Sequence, residues 1–183
     1  MYAALYGAWR LARLDPRGQD HFDASITGFW RSFQAAVIVA PAFVFLILFN
    51  LDQPNITAGA LRLTLVESLA YIISWTAFPL AMVALAHRLN RDQNYIRFIV
   101  AHNWANVLQV AVFLPTAIIA QVVGPSARFL TVAAMVAIFL YQWYVARTVL
   151  SINPFQAIGI VLVNLFIDII ITLIANGMVI GPD

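Results

Sequence analysis

The chain has 183 residues, of which 63% are hydrophobic and 10% charged, with a formal net charge of +2. Soluble domains are nearer half apolar and a quarter charged, so this composition excludes a soluble globular enzyme, a disordered tail and a nucleic-acid-binding domain. A mean hydropathy of +0.87 points to a membrane protein, and the absence of cysteine removes disulfides, thiolate metal sites and cysteine nucleophiles.

The first 31 residues precede any long apolar run. Residues 2–14 suit a helix, with Tyr2, Leu5, Tyr6 and Trp9 at helical spacing and Arg10 and Arg13 beside them. Aromatic rings and Arg together suit the headgroup zone, so Tyr6, Trp9, Arg10, Arg13 and, further on, Trp30 are expected to anchor this segment at the interface. Asp15-Pro16-Arg17-Gly18 reads as a turn. Asp23 or Ser25 is placed to cap a new helix leading through Phe29-Trp30-Arg31. The first long run has no basic stretch directly before it, so no cleavable leader is expected.

A bilayer core needs about 20 apolar residues per helix. Five runs meet this, at 33–51, 64–86, 98–123, 129–149 and 155–180. In lipid every backbone polar group must be paired within the segment, so these runs are predicted to be α-helices. Turn chemistry separates them: Asn50 to Asn55 with Pro54, His87 to Asp92, Gly124-Pro125-Ser126, and Ser151-Ile152-Asn153-Pro154. The first two loops are read as 12 and 11 residues long and the last two as 5, which makes the last three helices antiparallel neighbours. Asn55-Ile56-Thr57 matches a glycosylation triplet, without meaning in a bacterium.

All ten basic residues are Arg, a bias that favours a bacterial source. Placing the N-terminus inside puts eight Arg inside and two outside. The expected location is therefore a bacterial inner membrane, with the N-terminus cytoplasmic and the C-terminus outside.

Ionisable groups within spans are expensive to insert and mark functional candidates. Asp168 lies mid-run, and Asn164, Asp168 and Thr172 share one helix face at i, i+4, i+8. The third run carries a matching stripe of His102, Asn106 and Gln109, with Asn103 adjacent, and Pro115 further along as a source of a kink. His102 sits nearer the inner end than Asp168, so a direct bond between them requires an offset of several ångströms to close. Glu67 is expected to reach the outer interface and pair with Arg62 or Arg128. Tyr141, Gln142, Trp143, Tyr144 and Arg147 read as an aromatic interface belt. These polar groups support either a proton or solute path, or interhelical hydrogen bonds that fix packing, which contribute about 0.6 kcal/mol each on average.

No HExxH, GxSxG or phosphate-loop motif is present. His21, His87 and His102 fall in separate regions, so neither a metal site nor a cofactor is expected, and no enzyme activity.

Five closely spaced spans, a short N-terminal segment and a minimal tail resemble the Yip family of small polytopic membrane proteins, named for interaction with Rab-type GTPases. Of the Asp-Leu-Tyr-Gly-Pro signature of its eukaryotic members the chain carries only Leu5-Tyr6-Gly7. The resemblance implies a non-enzymatic, membrane-organising or scaffolding protein.

The sequence thus predicts an all-α polytopic membrane protein: a cytoplasmic or interfacial segment, 1–32, and a five-helix transmembrane domain, 33–183. The leading functional expectation is an accessory or scaffold subunit whose partners are the lipid bilayer and other membrane proteins or further copies of itself. Small residues such as Ala133, Ala134 and Ala137 permit close helix contact. The alternative is a small oligomeric transporter or proton-conducting protein using Asp168 with His102 and Asn106. No internal repeat is visible, and five spans do not divide into two inverted repeats.

Overall fold

The computed structural model describes residues 1–50 and 59–179. The Asn55-Ile56-Thr57 triplet, part of the first loop and the predicted helix end at 180 lie outside the described residues. Within them the fold is all-α. Seven α-helices follow one another: α1 (Tyr2–Ala12), α2 (Ile26–Ser32), α3 (Gln34–Asn50), α4 (Ala60–Arg88), α5 (Asp92–Val123), α6 (Arg128–Leu150) and α7 (Pro154–Val179), with short 3-10 turns at Pro16–His21 and Pro125–Ala127.

Five stretches are long and apolar enough to cross a membrane: Ile26–Leu48, which joins α2 to α3, and the helices α4 to α7. Their outward faces carry large exposed apolar side chains such as Val37, Leu69, Val122, Leu140 and Leu173. A water-soluble monomer does not expose apolar surface on this scale. The bilayer is the solvent that fits it.

The local signals that end each element are visible. Ser25 caps α2 by accepting the Gly28 N–H at 2.9 Å, while Asp23 accepts the Ser25 N–H at 3.0 Å, so Ser25 is the capping residue of the two candidates. Gly124 stops α5 at φ +89°, a backbone conformation that suits glycine. Before α7, Asn153 and Gln156 cap reciprocally, each side chain accepting the other's backbone N–H at 2.9 and 3.1 Å, and Pro154 takes the first helical position.

Two loops are much shorter than the apolar runs implied. Only residues 89–91 separate α4 from α5, and 151–153 separate α6 from α7. Hydropathy registers the hydrocarbon-facing length alone, whereas the helices continue through polar residues such as Asp92 to Arg97. The two short links are tied together, Arg91 Nε donating to Ser151 O at 3.2 Å and Asn94 Nδ2 to Leu150 O at 3.2 Å.

Around the interior, α5 packs on α6, α6 on α7, and α7 on α4, while α4 meets α5 near their short link and α3 leans on α5. Tyr71 of α4 donates to Ala36 O of α3 and stacks on Phe43. The five long helices therefore enclose a common axis. At the end where α4 meets α5 the N-terminal segment covers the bundle. Phe98 to Ala105 are all buried, so α5 is surrounded on every side there.

The segment docks through small residues. Ala4, Gly7, Ala8 and Leu11 form the buried face of α1 against α5 and α6. Gly7 and Gly18 bring two backbones together: a Cβ on Gly18 would lie 2.5 Å from Gly7 O. Tyr2, Tyr6 and Trp9 face away from the bundle. The expected aromatic belt on α6 behaves differently. Tyr141 Oη donates to Ala8 O at 2.8 Å and Tyr144 Oη to Leu14 O at 2.8 Å, so both hydroxyls clamp the N-terminal segment. Trp143 Nε1 bonds Pro154 O at 3.0 Å, with the Arg147 guanidinium 5.4 Å from its ring centroid. Tyrosine's hydroxyl satisfies an interface and a tertiary bond equally well.

Candidate functional site

Two of the cavities between the long helices carry polar linings among the described residues. The first, about 220 Å³, is lined by residues from all five spans, among them Ser74, Trp75, His102, Asn106, Gln109, Gln142, Asn164 and Asp168. The second, about 350 Å³, lies between α3, α4 and α7 and is lined by Phe43, Glu67, Tyr71, Ser74, Asp168, Thr172 and Asn176 among others. Ser74 and Asp168 border both. Asp168 itself is exposed and borders both cavities.

Helix periodicity produces this clustering. His102, Asn106 and Gln109 on α5 and Asn164 and Asp168 on α7 all line the first cavity. The structure thus gathers five of the six intramembrane residues singled out from sequence around the first cavity, and places the sixth, Glu67, on the second together with Asp168. Glu67 makes no ion pair with Arg62 or Arg128 among the described residues. Arg62 precedes it by five positions, about 140° around the helix, and α4 packs on α5 and α7 rather than on α6, which carries Arg128.

The hydrogen bonds are sparse. Asn164 Nδ2 donates to Asp168 Oδ2 at 3.3 Å. Asn106 Nδ2 approaches His102 Nε2 at 3.4 Å, a pairing in which the imidazole nitrogen accepts. His102 lies against Phe78, ring centroids 4.4 Å apart, and Phe98. It shares the first cavity with Asp168 without a direct bond, in keeping with their difference in depth. Gln142 Nε2 donates to Gln109 Oε1 at 2.9 Å, leaving Gln142 Oε1 and Gln109 Nε2 unpartnered. Asn103 turns aside from this network and donates to Ser32 Oγ at 2.8 Å, fixing α2 to α5.

Several lining residues escape the sequence reading as site residues, Ser74 among them. Asn176 continues the Asn164, Asp168, Thr172 spacing by one more step, so the signal was present. Gln142 was read as part of the aromatic belt, and Trp75 and Tyr71 look like any aromatic in a span.

The anchor residues separate into two groups. Trp9, Arg13 and Trp30 are exposed. Arg10 is instead held inside the segment, donating from Nε to Asp15 Oδ2 at 2.7 Å and lying 3.1 Å from His21 Nε2, with Tyr6 edge-on to His21 at 5.1 Å. The Arg10 bond, then the Arg17 backbone N–H, holds the Asp15 carboxyl below its ordinary value.

No protein-family model, curated protein or solved structure matches this chain.

Proposed function

We propose that this chain is a non-enzymatic integral membrane protein that passes a small polar solute or a proton through the bundle, with Asp168 as the group the path turns on. The observation that supports this reading is the pair of polar cavities meeting at Asp168 and Ser74. Each has room for several waters, and together they draw on carboxylate, imidazole, amide and hydroxyl groups inside helices that are otherwise apolar. The test is solute entry into proteoliposomes followed by osmotic swelling with urea, glycerol and choline chloride, alongside an entrapped pH dye. Entry faster than in protein-free vesicles, altered by Asp168→Asn, is expected. Rates equal to protein-free vesicles for every solute and for protons would overturn the reading.

The Arg asymmetry supports a bacterial inner-membrane location with the N-terminus cytoplasmic. Because the chain has no Cys, an Asp20→Cys protein should be shielded from an impermeant thiol reagent in right-side-out vesicles. Labelling there would reverse the orientation.

A second reading has its own observation. An apolar groove of about 430 Å³ between α6 and α7, lined by Val136, Leu140, Ile158 and Leu162 among others, lies on the helix that also carries exposed Ala133 and Ala137. Small residues and a groove suit a helix of another membrane protein, which is the accessory or scaffold role that the Yip resemblance implies. Extraction in mild detergent should then recover a stoichiometric partner; a clean monomer counts against it.

A further inference from the structure

We infer that the two cavities select a small organic cation of the ammonium type. This inference rests on the solute-path reading above and adds the class of solute.

Charge comes first. The cavity linings contain two carboxylates, Asp168 and Glu67, and no Arg. The ten Arg of the chain, its whole stock of fixed positive charge, lie elsewhere. With low-dielectric walls, a cavity lined by one sign of charge concentrates the opposite sign. An anion would meet repulsion at Asp168 with no guanidinium to offset it.

Size and donor geometry come next. Volumes of about 220 and 350 Å³ exceed what a bare metal ion fills. Among the described residues, no three His, Cys, Asp or Glu side chains converge as a metal ion would require. The two carboxylates come from different helices, α4 and α7, and both line the second cavity.

Aromatic faces complete the set. Trp75 and Asp168 both line the first cavity, and Phe43 and Tyr71 line the second, their ring centroids 4.6 Å apart. A carboxylate with an aromatic face is the combination that holds ammonium groups, Trp being the strongest ring for it.

The experiment uses the full chain in mild detergent and measures binding of radiolabelled choline. Competitors are tetramethylammonium, sodium, and 3,3-dimethylbutan-1-ol, in which carbon replaces the cationic nitrogen. Saturable choline binding displaced by tetramethylammonium, and untouched by the uncharged alcohol, is expected. Asp168→Asn, near-isosteric and easier to insert, should abolish it; Trp75→Leu should weaken it about tenfold, and Trp75→Phe less. Asp20→Asn, outside the spans, should bind as the natural chain does. If the alcohol competes as well as tetramethylammonium, or if Asp168→Asn binds normally, cation selection is overturned. Displacement by sodium at the same concentration as by tetramethylammonium overturns the organic class. Absent choline binding with solute entry still present in vesicles removes this inference and leaves the path; absence of both removes both.

Discussion

Tyr141→Phe with Tyr144→Phe should release the N-terminal helix without unfolding the bundle. Each hydroxyl donates to a backbone carbonyl of the N-terminal segment at 2.8 Å, Tyr141 to Ala8 and Tyr144 to Leu14. Phenylalanine keeps the ring and removes the bond alone. A net hydrogen bond contributes about 0.5–1.5 kcal/mol. Tyr141 belongs in the middle of that range because its bond is half-buried. Tyr144 belongs at the low end, since its bond is exposed and water can replace it. Together they amount to about 1.5 kcal/mol, or roughly a tenfold rise in the frequency with which α1 opens. Hydrogen exchange in nanodiscs reads this directly, with the amides of Tyr2–Ala12 as reporter and those of α7 as internal control. Unchanged α1 exchange would mean that lipid alone holds the segment, as the plain interfacial-anchor reading supposes. Equal loosening of α7 would mean that the clamp belongs to the global fold. Either result refutes the reasoning.

Gly18→Ala should destabilise α1 docking more than Gly7→Ala. Its Cβ meets backbone atoms at 2.5 and 2.9 Å, overpacking costs about 1–3 kcal/mol, and only Gly7 recovers about 1 kcal/mol of helix propensity from the change; protease cleavage after Arg10 and Arg13 gives the order. Ser32→Ala should lower the melting temperature in detergent, because it leaves the buried Asn103 amide without the partner 2.8 Å away. Adding Asn103→Leu should restore part of the loss, since removing both polar partners is cheaper than orphaning one. Protection of α1 should also fall in acid. The Asp15 carboxyl is held below its ordinary value of 3.8 by Arg10, so its contribution is present above that value and lost as pH falls through the lower folded one. Asp15→Asn should flatten that acid limb, and an unaltered limb would refute the assignment.

The fold was legible where the solvent dictates it. Five apolar runs became five spans because lipid demands internally paired helices, and no competing structure satisfies that demand. What hydropathy missed is what protein, rather than lipid, surrounds. Asp92 to Arg97 look like loop and are helix, and the next eight residues of α5 are buried by α1, α2 and neighbouring spans instead of by acyl chains. The site was legible by spacing on α5 and α7, where polar residues recur every three or four positions against an apolar background. It was not legible on α4 and α6. Trp75 and Gln142 carry no periodic signal of their own, and Tyr141 and Tyr144 have the chemistry of an interface belt while serving as tertiary donors. Glu67 was assigned the nearest Arg by sequence, and helix geometry places the two on different faces.

Magnitudes bear on whether Asp168 serves packing alone. A carboxyl at the centre of a span costs about 2.5–3.5 kcal/mol to insert. An interhelical hydrogen bond recovers about 0.6 kcal/mol on average and about 1.7 at most. Asp168 makes one side-chain bond, to Asn164 on its own helix at 3.3 Å, a length that places it among the weaker ones. Packing therefore leaves a deficit of about 1–2 kcal/mol or more, even on generous terms. A leucine at 168 would remove that deficit and complete the seal between α4 and α7, at the price of joining no cavity to another. The carboxyl stands instead where two cavities meet, whose linings also hold a histidine, six amides and three hydroxyls that are themselves costly in lipid. A set of expensive groups converging on shared space is what the proposed solute path accounts for and packing alone does not.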